Sequence, residues 1–269
     1  MKIKKIKKLQ ADWYEVTLER EGKTETFKLT DDLLVEYRLV GSQTLDDLQY
    51  EQLKQLADYA RCFNQALNYL THRMRTEQEI RDYLNKKGCP PDDREAIISK
   101  LKRLKYIDDE QFAMLYAKEQ FKNNRGPLWI TDQLLKKGVN KALAERTIAQ
   151  ISPEAFNRQM VEYMAKLDRM YRMKPIPKRR QSILRTLLNR GYEFEAIRDA
   201  FESFSFTPLE DEHELARNEA EKAYRKWKHK YEGYELKERL VARLTYKGYS
   251  YPVIKEVLDQ LFSEESVTS

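Results

Sequence analysis

A chain of 269 residues carrying a formal charge of +6 and a pI near 9.0 is longer than the usual single domain, leaving one large core, two domains or a repeat array open. With 35% charged residues, only 8 Gly and 8 Pro, and no run approaching the roughly 18 apolar residues of a membrane span, the composition argues against a sheet-rich or membrane-spanning chain and for helices. The mild positive balance permits contact with nucleic acid or an acidic protein surface without establishing either, because a charge excess is informative only where it clusters.

The N-terminus, MKIKKIKKLQADWYEV, lacks the apolar core and small-residue cleavage site of a signal peptide, so a cytoplasmic protein is expected. Residues 1–45 differ from the rest of the chain. Tyr14, Val16 and Leu18 alternate with Glu15, Thr17 and Glu19, the period of a half-buried strand, and Glu21-Gly22 offers a turn into a second strand. A β-hairpin is predicted, with KIKKIKKL as a candidate third strand whose lysines serve either as edge protection or as a nucleic-acid arm. Thr30-Asp31-Asp32 then starts a short linking helix.

From about residue 46 onward four segments recur, DYLNKKGC, DQLLKKGV, RTLLNRGY and ARLTYKGY, with glycines at 88, 138, 191 and 248. Four residues before each glycine stand Leu84, Leu134, Leu187 and Leu244; eight before stand Ile80, Ile130, Ile183 and Leu240. That spacing is one face of a short amphipathic helix stopped by a left-handed glycine. Ten residues after the glycines come Ile98, Ile148, Phe201 and Leu258, and thirteen after come Leu101, Ile151, Phe204 and Leu261, so a second amphipathic helix follows. A longer helix precedes each pair, over roughly 46–72, 108–123, 153–172 and 209–232, with start signals at Thr44-x-x-Asp47, Asp108-x-x-Gln111, Ser152-Pro153 and Thr207-Pro-Leu-Glu210. The fold predicted is all-α: an elongated array of four tandem three-helix repeats (46–107, 108–151, 152–206 and 207–269) behind a small N-terminal β-hairpin segment.

Catalytic signatures are missing from the sequence. His72, His213 and His229 are far apart, and there is no HExxH, GxSxG or P-loop, so neither enzyme activity nor a metal or cofactor is expected. Cys62 and Cys89 form no CxxC and are expected as packing residues rather than a disulfide or ligand pair. Asp108, Asp109 and Glu110 suit the first turn of a helix, where the dipole favours anions, and also form a candidate acidic partner patch.

The basic residues are more informative. Eight cations and no acid lie between Arg169 and Tyr192, and five cations with no acid lie between Lys222 and Tyr231, interleaved with Tyr224, Trp227 and Tyr231. Each recurring glycine follows a cation (Lys87, Lys137, Arg190, Lys247), which both helix capping and a binding role explain. In GPLWITDQLLKKG, Trp129 is expected to pack at the junction opened by Gly126-Pro127.

Three stretches in register, RMRTEQEIRDYLNKKG (73–88), LKYIDDEQFAMLYAKE (104–119) and RGPLWITDQLLKKGV (125–139), resemble the RecX family of regulatory proteins. The resemblance is strongest over 62–151, and the later repeats fit more loosely. It implies a monomeric, non-catalytic regulator that binds the RecA nucleoprotein filament and depresses its ATPase and strand exchange, modulating recombination and DNA repair, with single- or double-stranded DNA as a further contact. Carried over by position, Arg73, Arg75, Arg81, Lys86 and Lys87 match the family's first basic segment, and Arg125, Lys136 and Lys137 the second. Arg179, Arg180, Arg185 and Arg190 join the contact candidates on charge clustering alone. A general DNA-binding helical-repeat protein, or a helical scaffold for another partner, remains the alternative.

Overall fold

The structure, a computed structural model, describes residues 1–9, 12–207 and 212–268. Thirteen helices and three strands occur among them, and the chain divides into two compact units: residues 1–116 with 133–147, and residues 117–132 with 148–269.

In the first unit, β1 (Lys2–Lys8), β2 (Trp13–Arg20) and β3 (Lys23–Thr30) form an antiparallel meander. The KIKKIKK stretch is therefore a strand, paired with β2 through an irregularity between Ile3 and Lys5. Glu21 and Gly22 have φ of 51° and 78°, the left-handed pair that matches a tight hairpin to the twist of its strands. Alternation turns Ile3, Val16, Leu18, Phe27 and Leu29 to one face, where they pack with Leu45, Leu53 and Ala57. A short helix α1 (Asp31–Glu36) leads to α2 (Asp47–Leu70). The α2 cap differs from the one predicted: Asp46 and Gln49 form the capping box, while Thr44 is bridged to Lys2 at the sheet.

The far half of α2 packs with α3 (Glu77–Lys86) and α4 (Pro91–Arg103) around Ala66, Ile80, Leu84, Ile97, Ile98 and Leu101. Here the sequence expectation for the cysteines is overturned. Cys62 on α2 and Cys89, just past the Gly88 turn, face the same core and form a disulfide with Cα atoms 6.0 Å apart. Their separation of 27 residues carries no motif; the packing of α2 on the end of α3 is what joins them.

Next come α5 (Asp109–Lys122), α6 (Pro127–Lys136) and α7 (Lys141–Ala149), then α8 (Pro153–Met170), α9 (Ile176–Asn189) and α10 (Phe194–Ser203), and α11 (Glu212–Trp227), α12 (Gly233–Lys247) and α13 (Tyr251–Thr268). Asp108 and Ser152 cap as expected, accepting from the Gln111 and Ala155 N–H groups at 3.0 and 3.1 Å. The capping box read at Thr207-Pro208-Leu209-Glu210 lies outside the described residues beyond Thr207.

All four glycines take positive φ, and all eight residues four and eight positions before them are fully buried. The trailing positions hold less uniformly: Ile148 and Ile151 are half-buried, and α7 turns Leu143, Ala144 and Thr147 inward instead.

Three of the glycines also do what no helix stop requires. An added Cβ at Gly138 would collide with Gln78 near the start of α3, at Gly191 with Trp129 near the start of α6, and at Gly248 with Lys178 near the start of α9. In the first of these joints the Thr76 hydroxyl donates to the Lys137 carbonyl at 2.6 Å; in the second, the Gly126 and Leu128 N–H groups donate to the carbonyls of Arg190 and Gly191 at 2.8 and 3.1 Å. In these two joints a carbonyl at the end of one middle helix is thus paired with a donor at the start of another. Gly88 meets nothing within 4 Å.

Beside the second joint, Tyr192 is buried with its hydroxyl unpartnered among the described residues, and burial pushes the phenol up to about 12. A raised folded-state value means stability that is intact below the unfolded value of about 10 and is lost as pH climbs through the folded one. Unfolding in urea at pH 9 to 12 is expected to show this loss in the parent and less of it in Tyr192→Phe; identical profiles would place the phenol in water.

Candidate interaction surface

The predicted contact residues separate into those spent inside the fold and those left on its surface. In the first unit, Arg73 is spent: its guanidinium makes 2.9 and 3.2 Å bonds to Glu79, which also lies 3.4 Å from Lys137 Nζ. Burial pushes the Glu79 carboxyl up, but the Arg73 hydrogen bond and the Lys137 charge outweigh it and hold the group below its usual range. Lys137 is half-buried near the rings of Phe112 and Tyr116.

Arg81 bridges Glu95 and Glu77 with three contacts of 2.9 Å, and these carboxylates, Glu95 first, raise its pKa above the ordinary guanidinium value. Glu77 is held low by its Lys102 bond and then by Arg81, against the effect of burial. Arg75 lies over the Tyr69 ring at 3.9 Å. Lys86 and Lys87 remain exposed at the end of α3, with Lys87 5.5 Å from the Tyr83 ring.

The acidic patch does not act as a unit. Asp108 is the α5 cap, and Asp109 is half-buried, accepts from the Glu77 N–H at 2.9 Å and has its pKa raised by that burial. Only Glu110 is well exposed, 3.6 Å from Arg146.

In the second unit one candidate is overturned outright. Arg179 is 0% exposed, its Nη1 donates to Asp168 at 2.7 Å, and its Nε donates to the Lys174 carbonyl. A cation sealed in the core cannot meet a partner; it ties α9 to α8. Arg190 is half-buried, bonded to the Asn123 and Asn124 carbonyls and set over Tyr163. Arg125 stacks on Trp129 at 4.2 Å, so the tryptophan packs at the junction as expected. Arg180 lies exposed over Phe201, Arg185 is exposed without a partner among the described residues, and Lys136 is exposed in the last turn of α6.

The structure also gathers cations that the sequence scatters. Lys174 just before α9, Lys178 in its first turn, Lys222 from α11 and Lys247 from the end of α12 line one cleft of about 440 Å³ with Tyr246 and Tyr249. Its acid, Glu219, is taken by Arg243 at 2.7 Å and Lys247 at 3.2 Å; burial raises this carboxyl, and those two bonds bring it below its normal range. Lys178 sits 4.5 Å from the Tyr246 ring and Lys222 is exposed. The cleft therefore presents net positive charge with aromatic walls. Charge runs at 169–190 and 222–231 each signalled one side of it; only the packing of α11 and α12 beside α9 joins them. Among the described residues no group of three or more His, Cys, Asp or Glu is placed to hold a metal, and no helix is long and apolar enough to cross a membrane.

Comparison with known proteins finds RecX proteins along most of the chain. Residues 62–101, 108–148 and 210–258 match the first, second and third three-helix domains of RecX respectively. Helices α8, α9 and α10 fill the interval between the second and third matches. Regulatory protein RecX of Streptococcus thermophilus is 31% identical over 265 residues, 97% of this chain and 100% of the relative. That of Listeria monocytogenes is 31% identical over 236 residues, covering 87% of each chain. A crystal structure of regulatory protein RecX superposes with a TM-score of 0.61 at 26% identity, over 75% of this chain and 99% of that one.

Proposed function

The chain belongs to the RecX family of regulatory proteins, and from that premise we propose that it binds the RecA nucleoprotein filament and lowers its ATPase and strand-exchange activity. The observation that carries the reading for this chain is the basic cleft of Lys174, Lys178, Lys222 and Lys247, whose acid is already paired and whose field suits an acidic protein surface. Lys86, Lys87, Arg180 and Arg185 offer further exposed cations at other places on the chain.

We read the chain as four three-helix units behind the sheet, with residues 152–206 as a unit of their own; the succession α2–α4, α5–α7, α8–α10 and α11–α13 supports this. Several weak contacts from such units add through effective concentration when the partner is itself a repeating filament. Modulation of recombination and DNA repair in the cytoplasm follows from this reading.

The direct test is the DNA-dependent ATPase of RecA with and without the protein. Inhibition is expected, and the Lys178→Glu/Lys222→Glu variant should raise the half-inhibitory concentration about tenfold, with a weaker dependence on salt. An ATPase unchanged at several-fold molar excess over RecA removes the proposal; inhibition untouched by the double variant removes this cleft from it.

A further inference from the structure

A second cleft lies at the other end of the sequence, apart from the one assigned to the filament. It measures about 1100 Å³ and opens between the N-terminal sheet and α2. Cations reach it from separate elements: Lys7 and Lys8 from the end of β1, Lys28 from β3, and Lys54 and Arg61 from α2. Two acids line it, and both are engaged: Glu25 accepts from the Tyr50 hydroxyl at 2.6 Å, and Asp58 from Arg61 at 3.2 Å. Lys7, Lys28 and Lys54 are exposed and pair with no acid among the described residues.

Two uncharged groups refine the reading. Trp13 lines the cleft half-buried, and among the described residues it neither stacks on a ring nor lies under a cation. The side-chain oxygen of Gln65 is buried at the cleft without a hydrogen-bond donor among the described residues. An occupant that meets all of these must bring spaced negative charges, a flat face to stack and an N–H to donate. An acidic peptide brings the charges and an N–H but no regular stacking face. A duplex keeps its base faces covered, whereas a single strand presents phosphates, unstacked bases and base N–H groups together. From Lys54 to Gln65 the α2 wall runs about 16 Å at 1.5 Å per residue, room for a short run of nucleotides.

We propose that the cleft between the sheet and α2 binds a single nucleic-acid strand, with Lys7, Lys28 and Lys54 on its phosphates and Trp13 stacked on a base. The lysine alternation of β1 then serves both edge protection and strand binding. This proposal stands apart from the filament reading, because it concerns the protein and a nucleic acid with no RecA present.

The test is fluorescence anisotropy of the full chain with a labelled oligothymidylate of about 15 nucleotides. Binding should weaken with salt, and Lys28→Ala/Lys54→Ala should reduce the magnitude of the log–log salt slope by about 1.4, or roughly 0.7 for each lost phosphate contact. Trp13→Ala should weaken binding about fivefold or more while Trp13→Phe, which keeps a ring and the fold, stays close to the parent. Circular dichroism checks that each variant is folded; the two lysines are exposed and unpaired, so that double variant keeps the test valid even if Trp13→Ala unfolds. The proposal is overturned by no binding, by an unchanged slope in the lysine variant, by Trp13→Phe losing as much as Trp13→Ala, or by an abasic oligomer or oligoglutamate binding as tightly as the oligothymidylate.

Discussion

Replacing Asp168 by alanine is expected to cost about 3–5 kcal/mol, the largest effect of any single change considered for this chain. Asp168 is 2% exposed on α8. One carboxylate oxygen accepts from Arg179 at 2.7 Å and the other from the Thr207 N–H at 2.9 Å, so the residue ties α8 to α9 and to the segment following α10. Removing it strands a guanidinium that has no exposure and whose Nη2 already lacks a partner among the described residues. Burying an unpaired charge is costly, whereas removing both charges is not. The double change Asp168→Ala/Arg179→Met should therefore recover much of the loss. Urea denaturation of the parent, the single and the double variant checks this; a single variant within about 0.5 kcal/mol of the parent would mean that the pair is not sealed from water.

The second expectation concerns the joints. Gly191→Ala should cost about 2–4 kcal/mol, combining the left-handed conformation at φ 81° with a collision against the backbone nitrogen and Cβ of Trp129. Gly88→Ala shares the first cost at φ 71° but meets nothing within 4 Å, so about 1 kcal/mol is expected there. The difference isolates the joint from the helix stop. Equal losses at 191 and 88 in parallel unfolding curves would show that the recurring glycine only ends a helix. Gly126→Ala, whose Cβ would meet the Gly191 carbonyl from the other side without a left-handed backbone, should show the cost of the collision alone, about 1–3 kcal/mol.

Much of this architecture was legible because it rests on local periodicity. Ile80 and Leu84, and their counterparts in the other segments, are spaced one helical turn apart, and their burial follows from that spacing whatever the neighbours are. The hairpin was legible for the same reason, from the alternation of Tyr14, Val16 and Leu18 and a turn pair able to take positive φ. The start of α2 was misread at Thr44 because local signals there compete: Thr44 is drawn to Lys2 across 42 positions of sequence, and Asp46 is left to cap.

The site was less legible, because charge counted along a sequence says nothing of its surroundings. Arg179 and Arg180 are adjacent in one basic run, yet the first is sealed against Asp168 and the second is exposed. Asp168 just precedes the acid-free run, a signal that a cation of the run is answered inside the fold, but not which one. Arg73 and Lys137 likewise read as free cations until Glu79 is placed between them.

By itself, then, the sequence determined the helical class, the sheet, the four recurring helix stops and the resemblance to RecX, all of which depend on residues within a few turns of one another. Tertiary structure alone decided which cations are spent, that Cys62 meets Cys89, that Lys178 and Lys222 share a cleft, and that three of the four glycines are joints. The physical reason is range. Backbone hydrogen bonding and side-chain periodicity act over a few residues, whereas burial and ion pairing depend on which helices the closed chain sets side by side.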